Sequence, residues 1–346
     1  MSATSLRIDA GGYPESVTAA AAEAAEAERE GYDCYWAPET KVDALLACAA
    51  ACARTRRIAL GTAITVAFAR NPMTVAMAAN DVQTLSGGRF QLGLGSQIKA
   101  HITRRFSMPW SHPAPRMREF ILAVRAIWQS WASGEPLSFE GQFYTHTLSN
   151  PLFSPGPNEF GNPPILLAAV GERMTETAGE VADGVICHSF HTTRYLREVT
   201  LPALARGRAR AGRAIEGFEI SVPVFAVAGD SEAEREAGLA AVRGQIAFYG
   251  STPAYRPVLE LHGWGELQER LREMTRRGEW GRLGEAIPEE VVREFAVVGT
   301  PEEVVERLRE RYVGLASRIT VKLPPGLEPE RRAALLARLR AGAGAD

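Results

Sequence analysis

The chain has 346 residues, 46% apolar and 23% charged, with a formal net charge of -2. That length supports a large core, as one barrel or two ordinary domains, and the near-neutral balance gives no footing for nucleic acid or an anionic membrane. No apolar run reaches the roughly 18 residues that span a bilayer, and no charged start precedes an apolar signal core, so a cytoplasmic protein is expected.

Apolar runs alternate with helical patterns from the start. Residues 6–12 predict a strand and 14–29 an Ala/Glu-rich helix. Residues 33–38 are a second strand, followed by a helix over 43–54 with Asp43 as N-cap. Cys48 and Cys52 lie four apart in that helix. With Cys34 and Cys187 they include no C-x-x-C pair, and small apolar packing groups are expected, not zinc ligands or disulfides. Residues 57–68 are strand three, and its helix opens after Asn71 with Pro72 in the first turn, where a missing N–H costs nothing. Residues 89–95 are strand four.

Met117, Phe120, Ile121, Val124, Ile127, Trp128 and Trp131 follow the three-and-four spacing of one apolar stripe, the clearest helix in the chain. Residues 137–146 read as a hairpin turning at Gly141, and 150–164 as a long loop, which together make an insertion over about 133–162. Residues 164–170 are strand five, with a helix to about 182. Residues 183–190 are strand six, with a helix over 195–211. Residues 218–227 are strand seven, and Ser231 and Glu234 form a capping box for the helix after it. Residues 252–295 are a second insertion, partly helical, expected to cover one end of the fold with Tyr255, His262 and Trp264. Thr300, Pro301 and Glu303 open a further helix. Residues 318–323 are strand eight, and an amphipathic helix over 330–340 closes the chain.

Eight strands, each followed by a helix, imply a parallel sheet, and at this length a single-domain (β/α)8 barrel over residues 1–346. The alternative is a doubly wound sheet. The stretch GGRFQLGLGSQIKAHITRRF tests the two. A dinucleotide fingerprint needs G-x-G-x-x-G opening a helix. Gly93 and Gly95 fit, but Ile98 stands at the third position and no helix is expected before the Met117 stripe. In a barrel, small residues at a strand's C-terminal end let a flat ligand approach the backbone, and the polar loop over 96–112 walls the site.

Other strand ends add polar groups. Asp9 ends strand one, and Glu39 and Thr40 follow strand two. Thr65 lies late in strand three, and His188 and His191 follow strand six. Glu39 suits either a general base or a helix-entry carboxylate. The histidine pair lacks a nearby carboxylate, so a hydrogen-bonding His188 is expected and a metal is not. Val170, Gly171 and Glu172 form a strand-to-helix turn whose N–H groups suit an anion or serve as a plain turn.

LGTAITVAFARNP, LSGGRFQLGLGS, AGEVADGV and VVGTPEEVVERL together resemble the signatures of the bacterial luciferase-like flavin and deazaflavin oxidoreductases, over residues 6 to about 323. SQIKAHITRRFSMPWSHPAPRMREF and IAFYGSTPAYRPVLELHGW resemble an actinobacterial branch assigned to coenzyme F420. The resemblance implies a (β/α)8 barrel with a flat redox ring at its C-terminal mouth, F420 or alternatively FMN. It implies a non-proline cis peptide at Ala63–Ile64 behind the ring, a cofactor contact from Ser96, and a phosphate nest at Val170 and Gly171. Asp9, Thr65, Gln97, Glu172 and His188 complete the expected cofactor-binding set, with Glu39 and His101 as the catalytic pair. Where sugar-phosphate dehydrogenases of the family carry a histidine and a glutamate, this chain has Thr40 and Ile98, so a sugar phosphate is not expected. The implied partners are a small organic substrate, a second copy in a homodimer, and, for the monooxygenase alternative, a separate cofactor reductase. A catalytically idle cofactor-binding protein is the remaining possibility.

Overall fold

The computed structural model describes residues 5–341. Eight parallel strands close into a barrel: β1 Arg7–Gly11, β2 Cys34–Ala37, β3 Ala59–Thr62, β4 Phe90–Gly95, β5 Ile165–Ala169, β6 Gly184–Cys187, β7 Glu219–Pro223 and β8 Arg318–Thr320. The ring is closed: Leu60 and Gly61 of β3 meet Phe90 and Gln91 of β4, and Arg7 of β1 meets Arg318 of β8. Strand order follows chain order around the ring, as right-handed βαβ units require. The (β/α)8 expectation is met, and the doubly wound alternative is excluded by closure.

The helices begin where capping chemistry places them. Asp43 accepts from the Leu45 and Leu46 amides, and Asn71 caps the helix that Pro72 opens. Ser231 with Glu234, and Thr300 with Glu303, form complete capping boxes. The helix Pro113–Ser133 buries its whole predicted stripe. The hairpin pairs Phe139 with His146 and Glu140 with Thr145.

Four local expectations need correction. Strand three is interrupted after Thr62 and resumes as Thr65–Val66 beside Leu94 and Gly95. Strand seven breaks at Val224, and its continuation Phe225–Ala228 leaves the ring to pair with a strand, Ala296–Gly299, that lay unrecognised at the end of the second insertion. Within the loop over 96–112 a six-residue helix, Lys99–Arg104, does open, anchored by buried Ile102. The helix over 195–211 carries a π-helical turn, Leu196–Thr200.

Three apolar clusters result. The main one lies between barrel and helices, with Leu92, Phe120, Ile121, Trp128 and Ile165 among its fully shielded members. The second, built on Phe190, Ile246, Leu259, Leu271 and Phe295, seats the insertion over 252–295 against the loop after β6. Inside the barrel Cys34, Trp36, Leu166 and Ile186 pack together with Ala63 and Ile64. Gly61 is required there, because a Cβ on it would lie 2.3 Å from the Trp36 ring. All four cysteines are free and buried, and burial pushes the Cys187 thiol up to about 12. Among the described residues no helix is long and apolar enough to cross a membrane.

Candidate functional site

The C-terminal ends of β2 to β6 bring most of the expected residues to one rim. The Ala63–Ile64 peptide is cis, in the break of strand three. Ile64 lies over β4, so that a Cβ on Gly95 would meet its Cδ1 at 2.2 Å. Gly93 is held closer still. Thr62 Oγ1 donates to the Gly93 carbonyl at 2.7 Å and accepts from its amide at 3.0 Å, and a Cβ on Gly93 would overlap the Thr62 carbonyl. Glycines at 93 and 95 therefore let two backbones meet behind the mouth. Thr65 is fully buried there and its hydroxyl has no partner among the described residues.

Ser96, one residue beyond β4, donates its hydroxyl to the Gln97 carbonyl at 3.1 Å. Gln97 takes a left-handed φ of 58°, and its side-chain oxygen accepts from the Ile98 amide. Leu94 pairs with Leu167 and Ala169 with Cys187, so Ser96, Val170 and His188 follow neighbouring staves of the ring. Val170 offers its carbonyl to the Tyr195 hydroxyl at 3.2 Å. Gly171 is an extended N-cap without a capping side chain, and the first intrahelical bond runs from Thr175 back to Gly171. The amides of Glu172, Arg173 and Met174 thus lack helical acceptors at an exposed helix end, a geometry that suits an anion. Glu172 itself is exposed, 3.4 Å from Arg206.

Two expected residues occupy a different setting. Asp9 does not reach the rim. It sits in mid-strand, fully buried, with the Trp36 indole donating to it at 2.7 Å and the Arg318 guanidinium 3.1 Å away as an ion-pair partner. Burial pushes its carboxyl up to about 6, although Arg318 and the Trp36 bond oppose the shift. Arg318 also bonds Gln91 at 2.6 Å and approaches Glu219 at 3.4 Å, so these residues form a polar floor at the N-terminal side of the barrel. His101 lies exposed on the short helix Lys99–Arg104.

Glu39 stands beside the rim with its carboxylate committed. Arg70 donates to both of its oxygens, at 2.7 and 2.9 Å, and the Val66 amide donates at 2.9 Å. Arg70 also binds Asp43 at 2.5 Å. These bonds tie the loop after β2 to the resumed strand three, while the entry of the following helix is capped by Asp43. His188 is held between two tyrosines of the following segment, Tyr249 and Tyr255. His191 donates through Nδ1 to the His188 carbonyl at 2.7 Å and meets the Tyr312 hydroxyl through Nε2 at 3.4 Å. Burial lowers both histidines to about 4. Among the described residues no cluster of His, Cys, Asp or Glu could hold a metal. His262 stacks on Trp264 and meets Thr192 Oγ1 at 2.8 Å, which fastens the second insertion to the loop after β6.

Sequence reasoning missed Trp36, Arg318, Gln91 and Arg70. An arginine at the first position of the strand RITVKL was the available signal for the floor.

A model of the family described as luciferase-like monooxygenase matches residues 1–318. The chain is 50% identical over 314 residues to an uncharacterized protein of Mycobacterium tuberculosis, covering 91% of this chain and 92% of that one. It is 32% identical over 181 residues to the F420-dependent glucose-6-phosphate dehydrogenase of Nocardia farcinica, covering 51% and 52%. Its fold superposes with a TM-score of 0.78 on the coenzyme F420-dependent tetrahydromethanopterin reductase of Methanopyrus kandleri, at 22% identity, covering 96% and 97%. The chain belongs to the luciferase-like monooxygenase family.

Proposed function

We propose that the protein is an F420-dependent oxidoreductase that exchanges hydride with a small organic substrate at the barrel mouth. The observation that carries this reading is the rim around Ala63–Ile64: glycines at 93 and 95 that only a close backbone packing needs, the orphaned Thr65 hydroxyl, and free helix amides at 172–174. A flat ring with a phosphate-bearing arm fits that set. The sequence likeness to an enzyme named for F420 supports the choice of deazaflavin.

The bound coenzyme would supply a ring carbon that gives or accepts hydride. The protein's contributions follow from its own groups. Ala63, Ile64 and Thr65 would back the ring, Ser96 and Gln97 would border it, and Val170, Gly171 and Glu172 would hold the phosphate through backbone N–H groups. The insertion over 252–295 would exclude water from the mouth. Glu39, saturated by Arg70, would order the rim rather than move a proton. The protein would act as a homodimer. Titration of the cofactor-free protein with F420 and with FMN tests the reading, and clear preference for FMN replaces it with a reductase-supplied monooxygenase.

A further inference from the structure

The insertion over 252–295 meets the rim through more than its apolar seat. A chain of directed contacts runs from it to the end of β5. Trp264 stacks on His262, with ring centroids 4.6 Å apart and 12° between planes. His262 Nε2 lies 2.8 Å from Thr192 Oγ1. The same oxygen accepts from the Tyr195 amide at 3.1 Å, so Thr192 caps the helical turn that holds Tyr195. The Tyr195 hydroxyl then donates to the Val170 carbonyl at 3.2 Å. Thr192 and Tyr195 are 1% and 3% exposed, so water competes little for these bonds. Burial, with Glu172 nearby, pushes the Tyr195 phenol up to about 12, which keeps it a donor at neutral pH. Both ends of the chain are anchored. The His262 and Trp264 amides donate to the Leu259 carbonyl, at 3.0 and 2.9 Å, and Leu259 is buried in the second apolar cluster. Val170 packs its side chain against that same cluster. The π turn Leu196–Thr200 starts directly after Tyr195, a local irregularity of the kind that recurs at functional sites.

We propose that Thr192 is a positioning residue for the cofactor: through His262 on one side and Tyr195 on the other, its hydroxyl couples the seating of the insertion to the position of the turn after β5 at Val170 and Gly171. The proposal rests on reading that turn as part of the cofactor site. Thr192 and His262 act only through Tyr195 and Val170. Such coupling is reciprocal, so cofactor bound at the turn steadies the insertion by the same factor that a seated insertion adds to cofactor affinity.

Two measurements on the intact protein test this: F420 affinity, read by the coenzyme's fluorescence, and amide hydrogen exchange across residues 256–276, with and without F420. Thr192→Val keeps the shape of the side chain and removes its hydroxyl. It should weaken F420 binding by at least about fivefold, and Tyr195→Phe should do the same. Thr192→Ser restores the hydroxyl and should recover most of the loss. The double variant Thr192→Val/Tyr195→Phe should bind about as well as either single variant, because both substitutions cut one chain. F420 should slow exchange in the wild-type insertion and should fail to do so in Thr192→Val. Where Thr192→Val does not fold, His262→Phe, which keeps an aromatic ring beside Trp264 and loses the bond, carries the same expectations. F420 binding by the variant equal to that of wild type overturns the proposal. So do losses that add in the double variant, no recovery with serine, or wild-type exchange that F420 leaves unchanged. A wild-type protein that does not bind F420 brings down the parent reading and this proposal together, whereas wild-type binding with any of those four outcomes brings down the proposal alone.

Discussion

Arg318 lies 3.1 Å from Asp9 inside the barrel, with the two side chains 1% and 0% exposed. One partner cannot be removed without leaving the other charge stranded. Arg318→Met is therefore expected to destabilise by roughly 3–5 kcal/mol at neutral pH. The loss should shrink near pH 4, where Asp9, with its carboxyl at about 6, becomes neutral. Urea unfolding at both pH values checks this, and an equal loss at both contradicts it.

The same carboxyl makes stability depend on pH. Its folded value of about 6 lies above the ordinary 3.8, so the folded protein binds the proton more readily than the unfolded chain. Stability from this group falls as pH rises from about 4 to about 6, by about 3 kcal/mol in all. Asp9→Asn, which can still accept from Trp36, should show a flatter profile across that window. A parallel profile for the variant would exclude Asp9 as the source.

His191 works in the opposite direction. Its folded value of about 4 lies below the ordinary 6.5, so the unfolded chain binds the proton more readily. The stability it contributes is complete above about pH 6.5 and is lost as pH falls toward 4, by about 3 kcal/mol. His191→Phe removes the titration along with the Tyr312 contact. The stability gap between wild type and this variant should narrow as pH falls through that range, and a constant gap would contradict the assignment.

Three glycines separate packing from function. Gly93→Ala forces a Cβ to 1.8 Å from the Thr62 carbonyl, and backbone cannot yield as a side-chain tip can. It should cost at least about 2 kcal/mol by denaturant unfolding. Gly95→Ala meets the Ile64 side chain, most closely its Cδ1 tip, and no backbone atom, so a smaller stability loss is expected together with weakened F420 binding. Gly171→Ala meets no atom within 4 Å and should stay within about 0.5 kcal/mol of wild type.

The eight strands and the capping boxes were legible because they depend on local patterns: alternation of apolar runs with amphipathic helices, and Ser or Thr three residues before Glu. The strand Ala296–Gly299 was not, because it is only four residues long and pairs with a strand more than 60 positions away. The helix Lys99–Arg104 is too short to show a period around its one buried residue, Ile102. At the site, Ser96 and His188 emerged from their places at strand ends. The partners of Asp9 and Glu39 did not. Arg318 and Arg70 are 309 and 31 positions away from them, and only closure of the ring, or the turn after strand three, brings each pair together.

Glu39 gives a direct contrast between structural and catalytic roles. With both oxygens on Arg70 and one accepting from Val66, Glu39→Gln should lower stability by about 1–3 kcal/mol. A double-mutant cycle with Arg70→Met should show strong coupling between the two. Unchanged stability with loss of turnover would identify Glu39 as a base instead.

The most direct test of the central claim is equilibrium titration of the cofactor-free protein with F420 and, separately, with FMN. The account predicts saturable F420 binding at least about tenfold tighter than FMN binding, weakened in Gly95→Ala. Tighter binding of FMN, or no binding of either ring, would contradict it.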